Sequence, residues 1–339
     1  MLDVRNLSVS FPGKSGRITV VDDVSVRVAA GEVLGIVGES GSGKSVTALS
    51  ILRLIESPGA IDNGQVVFDG RDLLAEPIAA MRGIRGKKIS MIFQEPMTSL
   101  NPVFTIGNQI AETVRLHEGL TARQARSVAI DTLKRVGIPG AQERVDEFPH
   151  QLSGGMRQRV MIAMAIACRP MLLIADEPTT ALDVTIQAQI LELLAQLRDE
   201  FRMAMILITH DLGVIARTAE RVVVMYAGRV AEQAPVGALF RSPGHPYTSG
   251  LLASIPRLSD TGDDLRPISG MVPAPADMPL GCRFAPRCPH ARPICDTILP
   301  PLIKVSLSQS AACLMHTGFQ PPAASDLPAN AAGLPAGAP

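Results

Sequence analysis

The chain contains no tryptophan, only 2 tyrosines and 9 phenylalanines among 339 residues. So sparse a set cannot supply a row of aromatic faces on which bases stack. Charge of one sign is equally scarce. Lys and Arg number 32 and Asp and Glu number 32, so the formal net charge is +0. Without a basic field there is no electrostatic footprint for a phosphate backbone, and no nucleic-acid partner is expected. Long apolar runs are missing too. The longest, residues 160–175, is broken by Arg169-Pro170, whereas a membrane-spanning helix needs about 20 consecutive apolar residues. The opening Met1-Leu2-Asp3-Val4-Arg5 lacks the layout of a secretory signal. The expectation is a soluble, intracellular protein that meets a membrane only through partners. Its length suits one large domain plus an extension.

What is present is concentrated in short motifs. Gly38-Glu39-Ser40-Gly41-Ser42-Gly43-Lys44-Ser45 fits the phosphate-binding pattern G-x-x-x-x-G-K-[ST] at every required position. An apolar run, 32–37, precedes it as a strand. A helix-forming run, 46–55, follows it and is expected to stop at Ser57-Pro58-Gly59. Glycines let successive backbone N–H groups turn inward around a phosphate, and the helix N-terminus adds its positive end. Lys44 is placed to reach the β- and γ-phosphates of a nucleotide, and the Ser45 hydroxyl to bind Mg²⁺.

A second motif, Leu152-Ser153-Gly154-Gly155-Met156, opens an apolar helix that runs to about Cys168. Ser153 can cap that helix, while Gly154 and Gly155 leave backbone N–H groups bare for an anion. The strand at 171–175 then ends in Asp176-Glu177. Asp176 suits a Mg²⁺ shell and Glu177 suits polarising an attacking water. Ala181-Leu182-Asp183 follows, and another strand ends at Thr209-His210-Asp211. Upstream, the strand at 89–93 ends at Gln94.

In this order the motifs resemble those of an ABC-transporter ATPase subunit, over about residues 1–235. The resemblance implies an α/β P-loop NTPase fold of ABC type. Its parts would be a mostly parallel sheet, an antiparallel β subdomain, a helical subdomain and a short cysteine-bearing C-terminal extension. It implies that Glu177, His210, Gln94 and Lys44 serve ATP hydrolysis, with His210 on the γ-phosphate. Gln94 would link the γ-phosphate and Mg²⁺ to a membrane partner. Residues Ser153, Gly154 and Gly155, with Asp183, would close over ATP held by a similar or identical second subunit. The family also stacks adenine on an aromatic residue near the second strand. Phe11 is the nearest candidate, and Ile18 could take its place.

The remaining organisation reads as follows. Residues 2–10 and 18–28 alternate as antiparallel strands, and Asn63-Gly64 and Asp69-Gly70 bracket a strand at 65–68. Helices are expected over 105–117, over 121–136 with Thr121 as N-cap and Gly137 as stop, and over 184–202. Gly244-His245-Pro246-Tyr247-Thr248 leads a helix placed at 249–255. That motif, and Glu95-Pro96-Met97-Thr98-Ser99-Leu100-Asn101-Pro102, resemble those of dipeptide/oligopeptide importer ATPases. In those proteins the second segment grips the permease.

Four of the 5 cysteines, Cys282, Cys288, Cys295 and Cys313, fall in a proline-rich stretch that has little apolar material for a core. A reducing cytosol disfavours disulfides. Four thiolates suit Zn²⁺ or an iron–sulfur cluster, and four free structural thiols are the alternative. The peptide-importer resemblance implies a 4Fe–4S site. Cys168 is expected in the core.

The expected division is an ATPase domain at 1–240, the extension at 241–320 and a disordered tail at 321–339. The implied function is to power a bacterial importer of di- or oligopeptides from the cytoplasmic face of the inner membrane. Its implied partners are two permease subunits and, indirectly, an extracytoplasmic solute-binding protein. Nickel, glutathione or oligosaccharide would be the alternative cargo. A soluble ABC ATPase of DNA repair or translation fits less well. Those proteins carry a coiled-coil insert, zinc modules or two ATPase halves, and this chain has one half and no heptad insert.

Overall fold

The computed structural model describes residues 1–316 apart from 15, 96–98, 181, 256–267, 275 and 276. The tail expected at 321–339 lies outside the described residues.

Two sheets organise the chain. The smaller is antiparallel, in the order β2-β1-β4-β5, from β1 (Leu2–Gly13), β2 (Gly16–Val28), β4 (Ala60–Phe68) and β5 (Arg71–Asp72). The larger runs β11-β12-β10-β9-β3-β8-β7-β6. Its strands are β3 (Val33–Val37), β6 (Ile89–Ile92), β7 (Leu172–Asp176), β8 (Ala204–Thr209), β9 (Arg221–Tyr226), β10 (Arg229–Pro235), β11 (Ile303–Lys304) and β12 (Ser310–Ala311). Strands β6, β7, β8, β3 and β9 are parallel neighbours; β10, β12 and β11 add on antiparallel.

Every residue of β3, β7 and β8 is buried, as expected of parallel strands covered on both faces. The two-residue side-chain period divides them between two cores. Val33, Val37, Leu173, Ala175, Met205 and Leu207 face the helical side. Leu34, Ile36, Leu172, Ile174, Ile206 and Ile208 face the antiparallel sheet. Because the central strands are parallel, their C-terminal ends meet at one edge, and loops there can share a ligand.

Helices Ile106–Glu118 and Ala122–Arg135 pack together on the helical side. Thr105 and Thr121 cap them, and Thr121 forms a full capping box with Gln124. Gly137, at φ 77°, ends the second helix in the left-handed region. Thr121→Ala removes the cap that Gln124 N–H donates to, at a cost of about 1 kcal/mol. The expected result is a thermal midpoint lower by about 1–2 °C, read by calorimetry; an unchanged midpoint would show that the cap contributes nothing.

Three local expectations shift. Asn63-Gly64 is not a turn but lies inside β4. The pairing jumps there from Arg5↔Gln65 to Ser8↔Asn63, and Gly64 takes φ 116°. That is a bulge in β1, where Asn6 and Leu7 together oppose Gly64 and bend the strand. The helix after the phosphate loop spans only Lys44–Ile51 and ends before Ser57. The helix placed at 249–255 starts earlier, as Pro246–Ala253, because Pro246 takes the first position and the His245 ring caps it. Among the described residues, no helix is long and apolar enough to cross a membrane.

Candidate nucleotide site

The loop after β3 leads into the helix Lys44–Ile51, whose N-cap Gly43 is left-handed at φ 96°. Gly38, at φ 155°, leaves no room for a side chain, since a Cβ there would collide with the Met225 carbonyl. Its close approach fastens the loop to β9. Ser42 O accepts from Gly228 N at 3.0 Å, tying the loop to the β9–β10 turn as well.

Lys44 is buried, and its ammonium donates to Gly38 O at 2.7 Å and Glu39 O at 3.0 Å. Burial pulls its pKa down, while the charges of Glu177, Asp176 and Glu39 push it back up. A buried cation facing carboxylates and loop carbonyls is a ready partner for phosphate oxygens.

Asp176 ends β7 and is buried, and its Oδ1 has no hydrogen-bond partner. Burial raises its pKa, opposed by a hydrogen bond from Ser45. An orphaned buried carboxylate oxygen beside a serine hydroxyl fits a hard cation such as Mg²⁺, with Asp176 and Ser45 as its protein ligands. Bound there, Mg²⁺ would supply charge neutralisation for the phosphates.

Glu177 follows in the left-handed region, at φ 45°, with its N–H donating to Ile208 O at 2.9 Å. Three side chains surround its carboxylate. Thr180 Oγ1 donates to Oε2 at 2.8 Å, Gln94 Nε2 donates to Oε2 at 3.2 Å, and His210 Nδ1 lies 3.4 Å from Oε1. Gln94 follows β6 and His210 follows β8, so three neighbouring strand ends place them. A cavity is lined by residues 40–46, Val20, Gln94 and Glu177. A carboxylate held at its mouth beside donors can accept a proton from, and orient, a water aimed at a terminal phosphate.

The other site residues sit elsewhere. Ser153 is exposed and caps the helix Gly154–Ile166 by accepting from Met156 N at 3.4 Å. Gly154 and Gly155 approach Leu182 and Ile186, at the start of the helix Val184–Phe201. Asp183 caps that helix, its Oδ1 accepting from Ile186 N at 2.9 Å. None of the four lines the loop cavity. Phe11 and Ile18 are direct cross-strand partners, which explains why both are candidates. Phe11 lies against Gly59 and lines a neighbouring hollow with Val46, Leu49 and Phe93.

Sequence reasoning passed over several contacts. Thr180 carried no signal beyond its position three residues after Glu177. Gln158 Nε2 donates to Pro178 O at 2.6 Å and fastens the signature helix to the segment after Glu177. The motif at 244–248 has a mechanical purpose too. Buried Glu232 accepts from Gly244 N and His245 N at 2.8 and 2.9 Å. Burial holds the His245 pKa down at about 4, so its neutral Nδ1 can accept from Tyr247 N. Tyr247 is thereby delivered to the phosphate loop, where its hydroxyl accepts from Glu39 N at 2.9 Å.

The metal expected at Cys282, Cys288, Cys295 and Cys313 is corrected by the structure. Among the described residues, no group of three or more His, Cys, Asp or Glu could hold a metal ion. The thiols are free and partly buried, and burial pushes Cys282 up to about 11 and raises Cys288 and Cys313. Cys282 and Cys288 pack against the main core. What holds the extension is different. Phe284 lies 5.2 Å from Tyr226 and 5.4 Å from Tyr247 between ring centroids, and Arg283 bonds Asp22 and Ala227 O. The iron–sulfur and zinc expectation underrated this packing because its partners lie far away in sequence. Cys168 is partly buried, its thiol 3.9 Å from Thr113 O.

The fold and this site together define a P-loop ATPase cassette. The family model for ABC transporters matches residues 21–180, and that for the oligopeptide/dipeptide transporter C-terminal region matches residues 231–295. A Brucella melitensis protein named for peptide import ATP binding is 53% identical over 326 residues, covering 93% of this chain and 96% of that one. The dipeptide transport ATP-binding protein DppD of Haemophilus influenzae is 53% identical over 317 residues, covering 94% and 95%. The dimeric ATP-binding cassette MJ0796, in a post-hydrolysis state bound to ADP and Pi, matches with TM-score 0.63 and 28% identity, covering 70% of this chain and 99% of that chain. The chain belongs to the ABC transporter ATP-binding family and is an ATPase.

Proposed function

We propose that this ATPase powers the import of di- or oligopeptides through a membrane permease. The observation that carries this reading is the C-terminal region. It matches the oligopeptide/dipeptide transporter family, and its motif at 244–248 is built into the nucleotide site through Tyr247 and Glu39. The names of the relatives point the same way.

Residues 1–240 form the nucleotide-binding part and 241–320 the extension in this reading. Two such subunits sandwich ATP, because Ser153–Gly155 and Asp183 do not line the cavity of their own chain and would need a partner's phosphates. Lys44 and the loop amides hold the phosphates, Glu177 orients water in line with the γ-phosphate, and His210 and Gln94 sense it. Phe11 or Ile18 receives the adenine. The assembly works on the cytoplasmic face of a membrane, with two permease subunits and an extracytoplasmic binding protein.

ATP-dependent uptake of a labelled dipeptide into vesicles carrying the chain with its permeases and binding protein tests the reading. Uptake of nickel or an oligosaccharide instead would replace the cargo and keep the machine.

Residues 95–102 contact the permease in this scheme; 96–98 lie outside the described residues. Val103 and Phe104 next to them are exposed, as a docking surface requires. Glu95→Lys is expected to leave ATP affinity within about twofold, since one exposed charge is worth little, while lowering permease co-purification several-fold. Lost ATP binding with intact assembly would remove the coupling role.

A further inference from the structure

We infer that Arg287 is a positioning residue of the nucleotide site. It acts through Glu39 of the phosphate loop, so that the C-terminal extension sets both the shape and the charge of the cradle. The inference rests on the ATPase reading and deepens it.

The guanidinium of Arg287 forks onto the Glu39 carboxylate, with Nη1 donating to Oε2 at 2.7 Å and Nη2 to Oε1 at 3.0 Å. Its remaining donors go to Ser269 O, Ile268 O and the Tyr226 hydroxyl. All five N–H groups of the side chain therefore have acceptors. The Arg287 side chain is 4% exposed and Glu39 28%. A bidentate pair so shielded is fixed in geometry and little screened by salt, unlike a surface ion pair. Its hydrogen bonds to Glu39 hold the Arg287 proton more firmly than usual.

Glu39 is held at three further points. Its N–H is taken by Tyr247, and its carbonyl receives both Lys44 Nζ at 3.0 Å and Ser42 N at 3.2 Å. A second bridge runs parallel, since Arg283 binds the Ala227 carbonyl and Asp22 while the neighbouring Gly228 N–H donates to Ser42 O. The extension thus grips the loop on both flanks.

Two consequences differ in kind. A held loop lowers the ordering cost of closing its amides around phosphate. A neutralised Glu39 also spares the incoming triphosphate a bare carboxylate. The Glu39 charge is already felt at Lys44, where the phosphates would lie. Without Arg287 that carboxylate would repel the nucleotide.

The charge argument separates this role from simple folding support. Equilibrium binding of methylanthraniloyl-ATP to the full chain is the measurement. Arg287→Ala is expected to weaken binding about tenfold, an unpaired like charge near phosphate being worth on that order. Glu39→Gln alone should weaken binding less than Arg287→Ala, because it loosens the loop without baring a charge, and the double variant should recover most of the Arg287→Ala loss. Arg287→Lys, which keeps the charge without the fork, should fall between. In assembled transporter, Arg287→Ala should raise the ATP KM about tenfold with kcat little changed.

Unchanged binding in Arg287→Ala, or a double variant as weak as the single, overturns the inference. If Arg287→Ala fails to fold, Arg287→Lys with and without Glu39→Gln carries the same test. Lys44→Ala in the same titration keeps the two claims apart. A wild type that does not bind, with Lys44→Ala equally silent, would defeat the ATPase reading and not the clamp.

Discussion

Glu177→Gln should bind ATP as well as the wild type or better, and hydrolyse it about 10²–10³-fold more slowly, the usual contribution of a general base. The surroundings of Glu177 say why the loss is confined to chemistry. Thr180 and Gln94 both donate to Oε2, and a glutamine amide oxygen can sit in the same place and accept both bonds. The left-handed backbone at this position is held by Glu177 N donating to Ile208 O and by the Gln158–Pro178 bond behind it. Neither depends on the side chain. What disappears is the acceptor at Oε1, which faces His210 Nδ1 at 3.4 Å, and one negative charge beside the phosphate cavity. An –NH₂ group there cannot take a proton from water. A carboxamide also repels the γ-phosphate less than a carboxylate does, so nucleotide affinity is preserved. Phosphate release by the assembled transporter measures turnover, and gel filtration with ATP measures a trapped dimer. Turnover within a few-fold of the wild type would remove Glu177 from its role.

That Lys44, Gln94, Glu177 and His210 come together was legible because the signals are local. A strand, a glycine loop and a helix are contiguous between 33 and 51. Gln94, Asp176 and His210 each follow a buried apolar run that predicts a strand end. Parallel strands bring such ends to one edge, so order along the chain is enough to infer convergence. Gly64 shows a limit of the same approach, since Asn-Gly scores as a turn by composition but lies within a strand, opposite a bulge in β1. The extension was misread for a related reason. Its shortage of apolar side chains pointed to a metal staple, but Tyr247 and Phe284 join the main core and Arg287 reaches a residue 248 positions earlier. No periodicity in the sequence reports a pairing at that distance. Phe11 and Ile18 remained alternatives because they face each other across a hairpin, a register that the flanking loop length leaves open.

Lys44→Ala has the opposite expected signature, a loss of nucleotide binding itself by about 10²-fold. One ammonium donates two or more charge-assisted hydrogen bonds to phosphate oxygens when the nucleotide arrives, each worth about 1.5–3 kcal/mol. Without nucleotide, the same group is parked on Gly38 O and Glu39 O. Truncation therefore strips both states, but unequally, because carbonyls can turn to water while phosphates in the cradle cannot. The charge balance shifts as well. Lys44 faces Glu177, Asp176 and Glu39, and its loss leaves three carboxylates without that counter-charge around a site meant for an anion. Asp176, already raised by burial and relieved partly by Lys44, should rise further and hold Mg²⁺ less well. Titration with methylanthraniloyl-ATP, with and without Mg²⁺, reads both effects. Affinity within threefold of the wild type would show that Lys44 is only a structural tie of the loop, and that the cradle works through its backbone amides alone.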